Sequence, residues 1–488
     1  MKNFRNSGAG RPGSMHTLPV LPLLAIALGG CATNPATGGR MLSLVSEGQE
    51  IRMGQEGAAA VESSIGLYPD DDLQSYVDSI GQLLAAASER PGLPWRFRVI
   101  EQPVVNAFAL PGGFIYVARG IMTHFNSEAE LASVLGHEIG HVTARHSVEQ
   151  ISRAQLAGIG LLAGAVFAPE AVSQFGGALN TSLGLLFLKY GRDDESQADL
   201  LGHRYMTRLA YDPMGAVDMF EILARQRSSS GGSSVPEWAS THPDPGNRLQ
   251  AARARAAAAP GGLVRREEYL RRLDGVVFGE NPRAGYFQNG NFLHPDLEFR
   301  IDFPGGWTTQ NSAQSVLAVS PGKDAVIQLT LAEEQSAAAA ASSFFAQQGL
   351  SGRPASRTLN GLRASSGEFR AQTRDGVLRG HVTFVEYGEN TYSLLAYTPE
   401  ARFRSYDNTL QSTLSSFRRL TNSAALNVQP KRVKVVRTDR RMTITEFQRR
   451  FPSTISLDRL AVMNGVDVGE SIPAGTTMKR VVGRGAPQ

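Results

Sequence analysis

Ser127-Glu128-Ala129-Glu130-Leu131-Ala132-Ser133-Val134-Leu135-Gly136-His137-Glu138-Ile139-Gly140-His141 is the stretch from which the rest of this 488-residue chain can be read. Ser127 and Glu130 make an S-x-x-E helix start, and no proline interrupts Glu128 to Arg145. Leu131, Val134, Leu135 and Ile139 cover much of the circumference, which predicts a buried helix. Residues four apart share a helix face, so His137 and His141 can meet one metal ion. Glu138 lies between them, placed to take a proton from a water activated by that ion. Two buried imidazoles beside a buried carboxylate are costly unless a metal joins them.

A hydrolytic zinc site takes three protein ligands. The best third candidate is Glu195, in Gly191-Arg192-Asp193-Asp194-Glu195-Ser196-Gln197-Ala198-Asp199. Asp199 shares its helix face at i+4. A carboxylate there can hydrogen-bond the distal nitrogen of a ligating histidine and fix its tautomer. His146, nine residues after His137, is expected on the opposite helix face and is a poor ligand. His124 and His203 are expected to be structural or solvated.

His137-Glu138-x-x-His141 followed by Glu195-x-x-Ala198-Asp199 resembles peptidase family M48, which includes the CAAX prenyl proteases. Asn106-Ala107-Phe108-Ala109-Leu110-Pro111-Gly112-Gly113, Tyr211-Asp212-Pro213 and Thr241-His242-Pro243 carry the likeness further, over about Glu47 to Pro282. The resemblance implies one Zn2+ per chain, held by His137, His141 and Glu195, with Glu138 as general base. It suggests His242 as an oxyanion donor or a reversible extra ligand, and Arg248 as a second catalytic helper. It also places Gly113, Phe114, Ile115 and Tyr116 on the strand bordering the cleft, where an exposed edge could pair with an extended substrate. Gln197 stands where periplasmic members often have Glu.

Lys2, Arg5 and Arg11 precede an apolar run, Leu18 to Leu28, too short to span a bilayer as a mature helix. The run ends in Leu28-Gly29-Gly30-Cys31, which resembles a bacterial lipobox. Cys31 is the single cysteine, so no internal disulfide can form and lipidation there is the expectation. Ala32 follows it, which implies the inner leaflet of the outer membrane.

The net charge is +4, yet residues 425–488 hold twelve Lys and Arg against five Asp and Glu. With three basic and no acidic residues in 1–30, the stretch between is net acidic. The basic tail suits anionic polymers, and nucleic acid is an unexpected partner in the periplasm.

Residues 431–483 look like a divergent LysM module. Val433-Lys434-Val435-Val436 reads as its first strand, Thr443-Ile444-x-x-Phe447 as its first helix, and Leu457 to Asn464-Gly465 as its second. Such modules bind N-acetylglucosamine polymers, which makes peptidoglycan a candidate partner, although Arg441-Met442 replaces the usual Gly-Asp. A small capping module is the plainer reading. Residues 285–420 alternate like strands at Leu297 to Phe303, Ala325 to Leu331, Arg379 to Glu386 and Thr391 to Tyr397, closed by a helix at Tyr406 to Phe417. That pattern loosely resembles the PsbP-like fold.

The expected fold class is a multidomain α+β chain. It has a signal peptide (1–30), a linker (31–46) and a mainly helical gluzincin-type metallopeptidase domain with a short edge-strand sheet (47–280). A middle α/β domain (285–420) and a βααβ module (431–483) follow. The expected function is zinc-dependent endopeptidase action on unfolded or misassembled envelope proteins, from a lipid anchor on the periplasmic side of the outer membrane. The alternatives are a non-catalytic, metal-containing assembly factor or chaperone, and a peptidoglycan-directed hydrolase.

Overall fold

The computed structural model describes residues 31–156, 190–229, 242, 247–373 and 376–486. The expected signal peptide and the apolar stretches at 156–168 and 183–188 fall wholly or mostly outside these residues. Among the described residues, no helix is long and apolar enough to cross a membrane.

Residues 31–46 are not a bare linker. Strands β1 (Cys31–Thr33) and β2 (Arg40–Leu42) form an antiparallel hairpin, with Asn34 and Met41 buried. Helix α1 (Glu47–Ser64) starts at a Ser46–Gln49 capping box, and α2 (Asp71–Ala86) is capped by Asp70. Leu73, Val77, Ile80 and Leu84 recur at helical spacing and bury one face of α2.

A three-stranded sheet follows: β3 (Arg96–Ile100), β4 (Ala107–Leu110) and β5 (Phe114–Ala118). The order is β3-β5-β4, with β3 parallel and β4 antiparallel to β5. The Gly112-Gly113 turn needs positive φ (77° and 102°), and a side chain on Gly112 would lie 2.7 Å from the Ile51 backbone. This order corrects the expected edge. Phe114, Ile115 and Tyr116 lie on the central strand, paired on both sides and buried. The outer side of β3 is taken up by Tyr68 and by the side chains of Gln74 and Asp78. Among the described strands, β4 pairs with β5 alone, and it packs beside the helix that carries His137 and His141.

Helices α3 (Arg119–His124) and α4 (Glu128–Thr143) come next, and every residue of α4 is buried. Ser127 Oγ accepts from Glu130 N, and the Glu130 carboxylate reaches back to Asn126 N at 2.9 Å. Then follow α5 (His146–Leu156), α6 (Arg192–Arg208), α7 (Met214–Ser229), α8 (Arg248–Ala258) and α9 (Arg266–Leu273).

Residues 286–419 have their own core around Phe292, Phe299, Ile301, Leu394 and Phe417. Its main sheet runs, by residue number, 350–352, 362–373, 376–387, 390–399, 326–331, 315–319 and 308–311; 355–359 pairs beside 362–373. Every pairing is antiparallel, so this is an α+β layer rather than an α/β crossover sheet. Helices Ala337–Phe345 and Phe403–Ser415 pack on it.

The tail contains the expected two strands and two helices, with an added short pair, Met442–Thr443 against Ser471–Ile472, flanking the helices. Strand Arg432–Arg437 pairs antiparallel with Thr477–Val482, and helices Ile444–Arg450 and Leu457–Asn464 lie between. Gly465 ends the second helix in the left-handed conformation (φ 67°). It does not form a core of its own. Val433, Ile444, Phe447, Leu460 and Met478 join the same cluster as Ile121, Leu131 and Val134. Buried Lys479 donates from Nζ to the carbonyls of Thr123 (2.9 Å) and Phe125 (2.5 Å), just before α4.

Candidate metal centre

Two helices bring the site together because both are stripped of side chains where they touch. A Cβ on Gly202 of α6 would sit 2.8 Å from His137 N and 2.9 Å from the Gly136 carbonyl carbon. A Cβ on Gly140 would sit 2.9 Å from Ala198 O. Gly136 and Gly140 precede the two histidines of the motif, so the faces that close are set by the same spacing that aligns the ligands.

The closure places His137, His141, Glu195 and His242 so that one donor atom from each lies within 4.8 Å of all the others; all four residues are buried. His137 Nε2 is 3.0 Å from His141 Nε2, 3.2 Å from His242 Nδ1 and 3.6 Å from Glu195 Oε2. Glu195 Oε1 is 3.5 Å from His141 Nε2 and 3.0 Å from His242 Nδ1. Tetrahedral donors at zinc distances lie about 3.3–3.4 Å apart, so the set fits one small ion. Four buried N and O donors facing one another without an ion between them would carry a heavy desolvation cost. The donor chemistry, imidazole plus one carboxylate, suits zinc.

The surroundings orient the donors. His137 Nδ1 meets Asp199 Oδ1 at 3.0 Å, as the i+4 carboxylate predicted. Arg248 donates Nε and Nη2 to Asp199 at 2.8 and 2.7 Å, and its Nη1 lies 2.7 Å from Glu195 Oε2. Its guanidinium thus meets the site through the two carboxylates. Tyr190 stacks on His141 with ring centroids 3.8 Å apart, and its hydroxyl meets Ser147 Oγ.

Among the protein groups alone, burial pushes the Glu138 carboxyl up, against the pull of His242 and His137. Burial also works to raise Glu195 and Asp199. His242, His137 and Arg248 outweigh it at Glu195, and Arg248 and His137 do so at Asp199, so both are held below the usual carboxylate range. His141 is pushed well down by burial. His242 moves up, because Glu195 and Glu138 outweigh its burial. Neither Glu138 oxygen has a hydrogen-bond partner among the described residues; His242 Nε2 lies 3.6 Å from Oε1.

His146 is where the helical reading fails. α4 stops at Thr143, Arg145 takes a left-handed φ of 58°, and His146 opens a new helix. The chain has turned back, so His146 Nδ1 lies 2.9 Å from His141 Nδ1 instead of on the far face. No spacing rule across a helix break could have found it. Tyr190 and Asn34, far away in sequence, gave no signal either. His124 is buried with Nδ1 on Gly120 O, away from the donors, and partly buried His203 lies on α6 outside the donor set.

Residues 71–256 match peptidase family M48. Over 162 residues the chain is 36% identical to the mitochondrial metalloendopeptidase OMA1 of Arabidopsis thaliana, covering 33% of this chain and 31% of that protein. It is 32% identical over 233 residues to the beta-barrel assembly-enhancing protease of Escherichia coli K12, covering 46% and 47%. The OMA1 of Schizosaccharomyces pombe is 34% identical over 225 residues, covering 44% and 64%. The chain therefore spans less than two thirds of each of these relatives. A solved cyanobacterial PsbP from Synechocystis is similar at 14% identity and a TM-score of 0.23, over 26% of this chain and 91% of that one.

Proposed function

We propose that this M48 chain is a zinc-dependent endopeptidase of the bacterial envelope. The observation that carries the reading is the pairing of a four-donor cluster with Glu138, a buried carboxylate whose two oxygens have no hydrogen-bond partner among the described residues. A zinc ion held by His137, His141 and Glu195 would act as a Lewis acid on a peptide carbonyl and lower the pKa of water. Glu138 takes the proton of the attacking water and delivers it to the leaving amine. Its upward shift by burial suits a base that must also give the proton back. Asp199 holds the His137 ring, and Arg248 holds Asp199 and Glu195. His242 presents Nδ1 to the other donors and would complete the set that holds the ion. The side of β4, at Ala107 to Leu110, that no described strand pairs is the edge to which an extended substrate backbone adds.

The relatives named for β-barrel assembly support envelope proteins as substrates, with quality control of unfolded or misassembled chains as the task. The lipobox-like Leu28 to Cys31 supports a lipid anchor on the periplasmic side of the outer membrane. Exposed Arg440, Arg441 and Arg449 give the tail a basic face open to an anionic polymer such as peptidoglycan.

The test is Glu138→Gln in the full chain, assayed on an unfolded protein. Cleavage should be lost while zinc is retained. Undiminished cleavage would refute the hydrolytic mechanism.

A further inference from the structure

We propose that Asn34, Gln197 and His146 form a positioning relay that fixes the tautomer of His141, so that its Nε2 offers a lone pair to the metal. The inference rests on the metallopeptidase reading above and adds three residues to it.

The relay can be followed proton by proton from the backbone. Asn34 Oδ1 accepts from the backbone N–H groups of Ala36 (2.9 Å) and Thr37 (3.3 Å). That fixes the amide, because only the oxygen can accept. Its Nδ2 therefore faces the other way, donating to Ala144 O at 3.1 Å and to Gln197 Oε1 at 3.4 Å. Gln197 then presents the same oxygen to His146 Nε2, 2.8 Å away. An amide oxygen only accepts, so His146 carries its proton on Nε2 and, as a neutral ring, leaves Nδ1 as an acceptor. Asp194 Oδ1, 3.8 Å from the same Nε2, favours the same proton position. His146 Nδ1 lies 2.9 Å from His141 Nδ1, and one proton must lie between them. It belongs to His141. His141 Nε2 is then unprotonated and faces His137 Nε2 and Glu195 Oε1.

The two motif histidines are thus oriented by different means. Asp199 does it for His137 with a carboxylate, whereas His141 depends on a neutral chain that ends in the β1–β2 hairpin. Partners of this kind raise ligand basicity and hold the ring in place. A buried His146 with a different partner would offer His141 a donor, and His141 Nε2 would then carry the proton and could not bind.

The test measures zinc affinity of the full-length protein by competition with a chromophoric chelator, together with the absorption spectrum of the Co2+-substituted protein. His146→Leu should weaken zinc binding about 10–100-fold. His146→Asn, whose Oδ1 can replace the lost acceptor, should recover binding to within about fivefold. Asn34→Ala should weaken it about threefold to tenfold, and it serves as the readout if His146→Leu fails to fold. Zinc binding by His146→Leu equal to wild type, or His146→Asn as weak as His146→Leu, would overturn the relay alone. A wild-type chain that binds no zinc would overturn the metallopeptidase reading and the relay with it.

Discussion

The two ends of α4 are both buried and both charged, and they are built to opposite rules. At the start, each carboxylate oxygen is spoken for. Tyr76 and Tyr211 donate to the two Glu128 oxygens, and Asn126 N and Ser127 Oγ donate to those of Glu130. Lys479 arrives from the tail to donate to two carbonyls. At the other end neither Glu138 oxygen has a hydrogen-bond partner among the described residues. The first cluster is a clamp between the start of α4 and the tail. The second leaves a buried carboxylate without a hydrogen bond among the described residues, a cost to stability of the kind that functional sites commonly carry.

Glu138→Gln sharpens this contrast most. It should lower proteolysis about 1,000-fold, the scale of a lost general base, while the metal-free chain melts at a higher temperature than wild type. A melting temperature that falls would mean that Glu138 contributes to the fold. At the other end, Lys479→Met strands two buried carbonyls and should cost about 3 kcal/mol in chemical denaturation, with zinc stoichiometry unchanged. Stability equal to wild type would show that the tail merely rests on the domain.

The same end should give a pH signature. Burial holds His124 neutral, with its pKa lowered to about 4. Between pH 6.5 and 4 only the unfolded chain takes that proton. Its contribution is therefore full above 6.5 and lost as pH falls towards 4, by roughly 3 kcal/mol at most. His124→Asn in chelator-treated protein should lose less stability over this window; parallel curves would contradict the shift. The smallest effect tests the helix closure. Gly202→Ala touches no donor side chain, yet should weaken zinc binding about tenfold by pushing α6 away from His137. Equal affinity would mean that the helices can part without moving the donors.

What the sequence made legible follows from periodicity. His137, His141, Glu195 and Asp199 each lie within one continuous helix, where a four-residue spacing has one geometric meaning. His146 lay beyond a left-handed residue that the spacing could not register. The order of β3, β4 and β5 depends on a parallel pairing across intervening chain, so the strand expected at the edge became the central one. Strand 362–373 was missed because LRASSGEFRAQT lacks clean alternation, and its neighbours on the sheet determine its conformation. The tail's element order was readable, but its sharing of the peptidase core was not, since Lys479 gives no local sign of where it is buried.

The central claim is that side chains from α4 and α6 converge on one ion. Elemental analysis of the purified full-length protein and of Glu195→Ala tests it most directly. Wild type should hold one zinc per chain, and Glu195→Ala little or none. Full zinc in that variant, or none in wild type, would contradict it.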